Sequence, residues 1–110
     1  MAVNAPFTPS GNTVTFTAAV TAPTPVQAVS TTLGGNQYRI LNAGSVVAFL
    51  GIGTTAALAN SAAVAVTSTG SAIPLLAGTD EIITFAPNAF FTAVTASSSA
   101  VIYITPGDGN

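Results

Sequence analysis

Residues 13–20, Thr-Val-Thr-Phe-Thr-Ala-Ala-Val, place Val14, Phe16, Ala18 and Val20 on one side of an extended chain and Thr13, Thr15 and Thr17 on the other. A strict period of two belongs to a strand with one face in a core and one in water; a helix would scatter these apolar groups around its axis. Short runs rich in β-branched and aromatic residues recur at 81–85, 90–95 and 100–105, separated by Ala86-Pro-Asn88 and by Ala96-Ser-Ser-Ser99. Further extended segments are predicted at 24–32, centred on 26–29, at 62–67, and at 72–76, where Pro74 suits an edge position. Many short strands with turn signals at intervals of about ten residues predict a single all-β domain, an antiparallel β-sandwich of jelly-roll type. The Ala-rich stretch 55–60 admits a short helical turn, but the chain offers no crossover helix for a parallel α/β sheet.

The middle of the chain, residues 37–53, is expected to organise the rest. Residues 37–41 and 46–50 read as strands, and Asn42-Ala-Gly-Ser45 between them has turn composition, so a hairpin is predicted. Gly51 and Gly53 read as turn glycines, because they lack the third glycine and the strand-to-helix setting of a dinucleotide loop. Residues 1–12 hold Pro6 and Pro9 and finish on Gly11-Asn12, which suits neither a helix nor an interior strand. We expect an extended N-terminal arm at 1–12 and a sandwich domain at 13–110, with Val3 and Phe7 anchoring the arm on a neighbouring subunit. Pro106-Gly-Asp-Gly-Asn110 is expected to end the last strand at residue 105.

Charge is nearly absent. Arg39, Asp80, Glu81 and Asp108 are the four charged side chains, whereas a small soluble domain usually devotes about a quarter of its surface to charge. Either the outside is polar but neutral, or it is largely covered by partners; the second is favoured, because charge is depleted at interface cores. A homo-oligomer is therefore expected. With no Lys and one Arg there is no electrostatic footprint for phosphate, so neither nucleic acid nor an anionic membrane is an expected partner. The chain has no Cys and no His, which removes disulfides, thiol chemistry, Cys-based zinc sites and imidazole acid–base catalysis. The apolar stretch 46–66 is broken by Gly51, Gly53, Asn60 and Ser61 and does not make a spanning helix. Met1-Ala-Val-Asn-Ala-Pro6 lacks the basic and apolar regions of a signal peptide, so synthesis in the cytoplasm without export is expected.

No constellation of side chains suggests catalysis, a metal or a cofactor. Asp80 and Glu81 are adjacent at a strand start and so point to opposite faces, which keeps them from acting as a paired acid and base on one substrate. Asp108, in its Gly-rich tail, is one carboxylate where calcium wants about six to eight oxygens. Arg39 lies in a predicted strand. It is expected to be partly buried and paired with Asp80 or Glu81, or else to serve a subunit contact, where Arg is enriched. Tyr38, Tyr103, Phe90 and Phe91 fall in apolar alternations and read as core rather than as a sugar-stacking platform.

Several segments taken in order resemble a known family. They are the Asn42-Ala-Gly44 turn, Gly51-Ile-Gly53, Ile73-Pro-Leu-Leu-Ala-Gly78, Phe90-Phe-Thr-Ala-Val-Thr-Ala-Ser97 and Ile104-Thr-Pro-Gly-Asp-Gly109. Over residues 37–110 the chain resembles small virion proteins of tailed bacteriophages, of the head decoration or cement type. The resemblance implies a trimeric sandwich clamped onto a lattice of the major capsid protein, located on the virion and made in the host cytoplasm. It carries no catalytic residues. Val3, Phe7 and Arg39 are the candidate contact residues. A carbohydrate- or receptor-binding sandwich from a tail fibre or a cell surface is the alternative expectation.

Overall fold

The computed structural model describes residues 7–30, 35–64 and 72–108. Nine strands and one helix follow in order: β1 (Thr8–Pro9), β2 (Val14–Ala18), β3 (Val26–Gln27), β4 (Gln37–Asn42), β5 (Ala48–Gly53), α1 (Ala56–Ala62), β6 (Ile73–Leu75), β7 (Asp80–Thr84), β8 (Phe90–Thr95) and β9 (Ala100–Asp108). They form two antiparallel sheets packed as a sandwich. The five-stranded sheet runs β1-β9-β4-β7, with β2 also on β9, and the four-stranded sheet runs β3-β8-β5-β6. The all-β sandwich read from the alternation is what the chain forms.

The pairing is nested. β2 pairs with β9, β3 with β8, β4 with β7 and β5 with β6, as though one antiparallel ribbon were wound across both sheets. Between the sheets lies one core, to which β2 gives Phe16 and Ala18, β4 gives Tyr38 and Ile40, and β9 gives Ile102 and Ile104. Leu50, Leu75, Phe91 and Ala93 face them from the other sheet. The Tyr38 and Phe91 rings meet edge to face with centroids 4.8 Å apart, a favoured aromatic geometry. Alternation places these residues inward, with three exceptions. Phe90, read as core, is the register partner of Gly53 on the face toward α1 and is only partly buried. Val20 is 64% exposed, because β2 stops at Ala18 and the chain leaves for the other sheet. Tyr103 lies on the outer face of β9 and is 39% exposed.

The predicted central hairpin does not form. β4 and β5 belong to different sheets, so Asn42-Ala-Gly-Ser45 is a corner between layers rather than a turn within one. The Asn42 side chain explains the corner. It sits fully buried at the inner end of β4. Its amide nitrogen donates to the carbonyls of Val46 and Leu75, each at 3.0 Å, and its Oδ1 accepts from the Gly44 N–H at 2.9 Å. One side chain thus satisfies backbone groups of the corner and of β6 in the opposite sheet, where no water could replace it.

The strand expected at 62–67 does not form over its described part, 62–64. Ala62 ends α1, Ala63 and Val64 are irregular, and 65–67 lie outside the described residues. Ala dominates this stretch and favours helix, and Thr55 caps it, its Oγ1 accepting from the Leu58 N–H at 3.2 Å. Gly51 and Gly53 are not turn glycines. They lie in β5, and a Cβ on Gly51 would stand 2.5 Å from the Ala63 nitrogen and against the Ala59 carbonyl. Their bare backbone lets α1 press onto the outer face of the four-stranded sheet.

Both termini run further into the sheet than expected. β9 continues through Pro106 to Asp108. The Pro106 carbonyl accepts from the Ser10 N–H at 2.9 Å, so the ring's missing donor points to the same side, where the ladder is already interrupted between β1 and β2. Thr8 and Pro9 of the expected arm pair with Asp108 and Gly107, continuing the line of β2 along β9. Replacing Asn42 by Asp removes both donors and places a carboxylate against two carbonyls. We expect Asn42→Asp to lose about 3 kcal/mol or more in a denaturant titration, and Asn42→Ser to lose less.

Candidate interaction surface

The two sheets differ in what covers them. Over the four-stranded sheet lie α1 and the segment 19–25, where the Thr95 N–H donates to Ala19 O at 2.9 Å and Thr92 Oγ1 donates to Pro23 O at 2.8 Å. Between segment and helix runs a shallow groove of about 360 Å³, walled by Ala22, Pro23, Pro25, Ala56, Ala57 and Asn60. Its walls are short and uncharged, and they offer neither an acid nor an aromatic ring.

α1 packs on the other sheet, so among the described residues no helix covers the outer face of the five-stranded sheet. Register puts Arg39 beside Thr105 on β9 and beside Ile82 on β7. Arg39 reaches diagonally to Asp80, with Nη2 and Nε each 2.9 Å from Oδ2. This corrects one expectation and supports another. The partner is Asp80, but the pair is not buried: the side chains are 51% and 36% exposed. On a strand whose odd positions face outward, a long side chain follows the sheet surface into water. Glu81 lies one step along β7, opposite Ile40, and is exposed; the two carboxylates do point to opposite faces.

Of the three expected contact residues, two share this face. Phe7 lies over Gly107, where a Cβ would meet its ring at 2.6 Å. Gly107 is the register partner of Gln37, two residues from Arg39. Phe7 is thus engaged with its own chain, and Gly107 is required for its approach. Val3 lies outside the described residues. Gln37 carries a buried Oε1 with no hydrogen-bond partner, a rare state for a buried acceptor. Asp108 accepts from the Gly35 N–H at 2.7 Å and so ties the end of β9 to the approach to β4. Among the described residues no three acidic, His or Cys side chains gather to hold a metal ion, and no helix is long and apolar enough to cross a membrane.

Tyr38 is the titratable group that sequence reading placed in the core without seeing its second task. Its hydroxyl donates to the Ala86 carbonyl at 2.5 Å and accepts from the Ala89 N–H at 3.1 Å, which locks the β7–β8 connection. Burial pushes its pKa up, against a smaller lowering by the Ala89 N–H. An ordinary tyrosine ionises near pH 10. Above that pH the unfolded chain gives up the Tyr38 proton while the folded chain keeps it, so stability is intact below about pH 10 and falls as pH rises toward the folded pKa.

Two measurements check these placements. In denaturant titrations between pH 8 and 11, Tyr38→Phe is expected to lose about 1–3 kcal/mol at pH 8 and to show a shallower alkaline decline than the parent. Arg39→Ala is expected to cost about 0–1 kcal/mol at neutral pH; a loss several times larger would mean that the pair is not solvated.

Set beside known proteins, the chain matches no family model, no curated protein and no solved structure.

Proposed function

We propose that this chain is a structural protein of a tailed-bacteriophage particle, a decoration or cement protein that holds a head lattice together through contacts with the major capsid protein and with its own copies. We read its nested strand pairing as the winding of a jelly roll. The observation that carries the proposal is one end of the sandwich, formed by the connections 43–47, 76–79 and 96–99 and the start of 19–25, none of which contains a charged residue. At that end Val20 and Leu76 are 64% and 63% exposed. An uncharged surface suits burial in an assembly, whose contact cores are depleted of charge, and an acid–base enzyme has no use for it. The outer face of the five-stranded sheet, with its single ion pair neutralised internally, adds no long-range repulsion between neighbouring copies.

The test is made on particles. Virions purified from a culture that produces the chain should contain it in amounts proportional to the capsid protein, as read by quantitative mass spectrometry. A Val20→Arg, Leu76→Arg double variant should fold normally yet be depleted from the particles at least tenfold. Purified particles free of the chain would overturn the assignment, and so would full incorporation of the double variant.

A further inference from the structure

The edges of the two sheets are not alike. Among the described residues four lines of backbone end the sheets. β6 carries Pro74 at its middle position. β3 is two residues long, and the same edge of β8 is otherwise met only by a bridge from Ala19 to Val94. Along β9, β1 and β2 are two short pieces with Pro9 in one and a break in register between them. Short strands, prolines and irregularities are the standard means of blunting an edge against further pairing. β7, five residues without proline or bulge, has none of these three; its guard is charge alone, Asp80 and Glu81 at its first two positions.

Its free groups can be assigned. In an antiparallel ladder each residue directs its N–H and C=O to one side, and successive residues alternate. The Asn42 N–H donates to Thr79 O and the Phe85 N–H to Asn36 O, so the odd positions of β7, Glu81 and Ile83, face β4. Asp80, Ile82 and Thr84 direct their backbone groups away from the sheet.

We propose that β7 is a self-association edge, pairing antiparallel with β7 of a second copy around a twofold axis at Ile82. In that register all five residues pair: Asp80 faces Thr84, Glu81 faces Ile83, and Ile82 faces Ile82. The chemistry selects this register over its neighbours. Centring the axis on Glu81 sets two carboxylates directly opposite, which destabilises a strand pair, and centring it on Ile83 shortens the ladder from five pairs to three. Arg39 neutralises Asp80 within each copy at 2.9 Å, so Glu81 alone brings net charge to the edge, and the register places it against an aliphatic side chain. A twofold axis also makes the contact closed, one dimer rather than a growing fibre. The strand pair is smaller than a standard stable interface of about 1,600 Å², so the dimer depends on concentration and is reinforced wherever copies are held side by side. The contact does not rest on the virion assignment, because it belongs to the free chain.

Sedimentation velocity over a concentration series tests it with the whole chain. The parent should pass from monomer to dimer as concentration rises. Thr84→Pro deletes an outward N–H and leaves the bonds to β4 in place; it should keep a cooperative thermal transition and weaken dimerisation at least tenfold. Because the parent has no cysteine, Ile82→Cys gives a single reactive thiol, and a short bis-maleimide should convert it to covalent dimer at concentrations where the parent is dimeric. A parent that stays monomeric to about millimolar concentration overturns the proposal. So does a folded Thr84→Pro protein that associates as the parent does, a trimer indifferent to that substitution, or an Ile82→Cys protein that fails to cross-link while dimeric.

Discussion

The sandwich depends on what happens at Asn42. Nearly every connection in the described chain passes from one sheet to the other, and the first crossing out of the central strand β4 is made around this buried amide. A corner between layers strips water from backbone carbonyls that are not in a ladder. Such groups are costly unless paired, and Asn42 donates to the Val46 carbonyl in the corner and to the Leu75 carbonyl at the end of β6. The same residue is held through its own backbone: its N–H donates to Thr79 O and its carbonyl accepts from the Gly78 N–H. Gly78, at φ 72°, supplies the left-handed turn that this approach requires. Two crossings, β4 to β5 and β6 to β7, are therefore fastened at one point.

The opposite end is held by different chemistry with the same logic. Tyr38 passes its ring through the core to Phe91 and spends its hydroxyl on the β7–β8 connection. Asn88, at φ 58° in that connection, accepts from the Ser30 N–H through its side chain, which draws in the segment after β3. Asn42 and Tyr38 lie on the inner face of one strand, four residues apart, and each fixes the loops at its own end. With so little charge in the chain, buried hydrogen bonds rather than ion pairs specify which strands meet.

Strands were legible where one face is wet. The 13–20 alternation and the runs at 90–95 and 100–105 required no knowledge of the partner strand, because burial on one side writes itself into side-chain period. Crossings were not legible. Asn42-Ala-Gly-Ser45 has the same composition whether it joins neighbours in a sheet or leaps between sheets; what distinguishes the two is a hydrogen bond from Asn42 to Leu75, 33 residues away. Gly51 and Gly53 misled for a related reason. Their role is to receive a helix, and nothing in the glycines themselves says that Ala59 and Ala63 will be the ones to arrive. Pro106 reads as a strand end because a proline forfeits a donor; its loss costs nothing opposite an interrupted ladder. Arg39 was paired as expected but solvated, since its depth depends on which sheet face is left without a helix.

That helix-free face returns to the scarcity of charge. The groups able to keep copies apart are Glu81 and Asp108, once Arg39 and Asp80 have neutralised each other. Asp108 keeps its charge but lies on β9, two strands away, so Glu81 is the charge without an ion-pair partner on β7, the one edge among the described residues not blunted by proline, brevity or a break in register. A sequence under pressure to stay monomeric places charge, lysine above all, along such an edge. Among the described residues prolines and interruptions guard three edges, and the fourth carries two acids: Asp80, which is paired with Arg39, and Glu81, whose position excludes one register without forbidding the next. That contrast between three guarded edges and a fourth guarded by charge alone is what the proposed β7 pairing rests on.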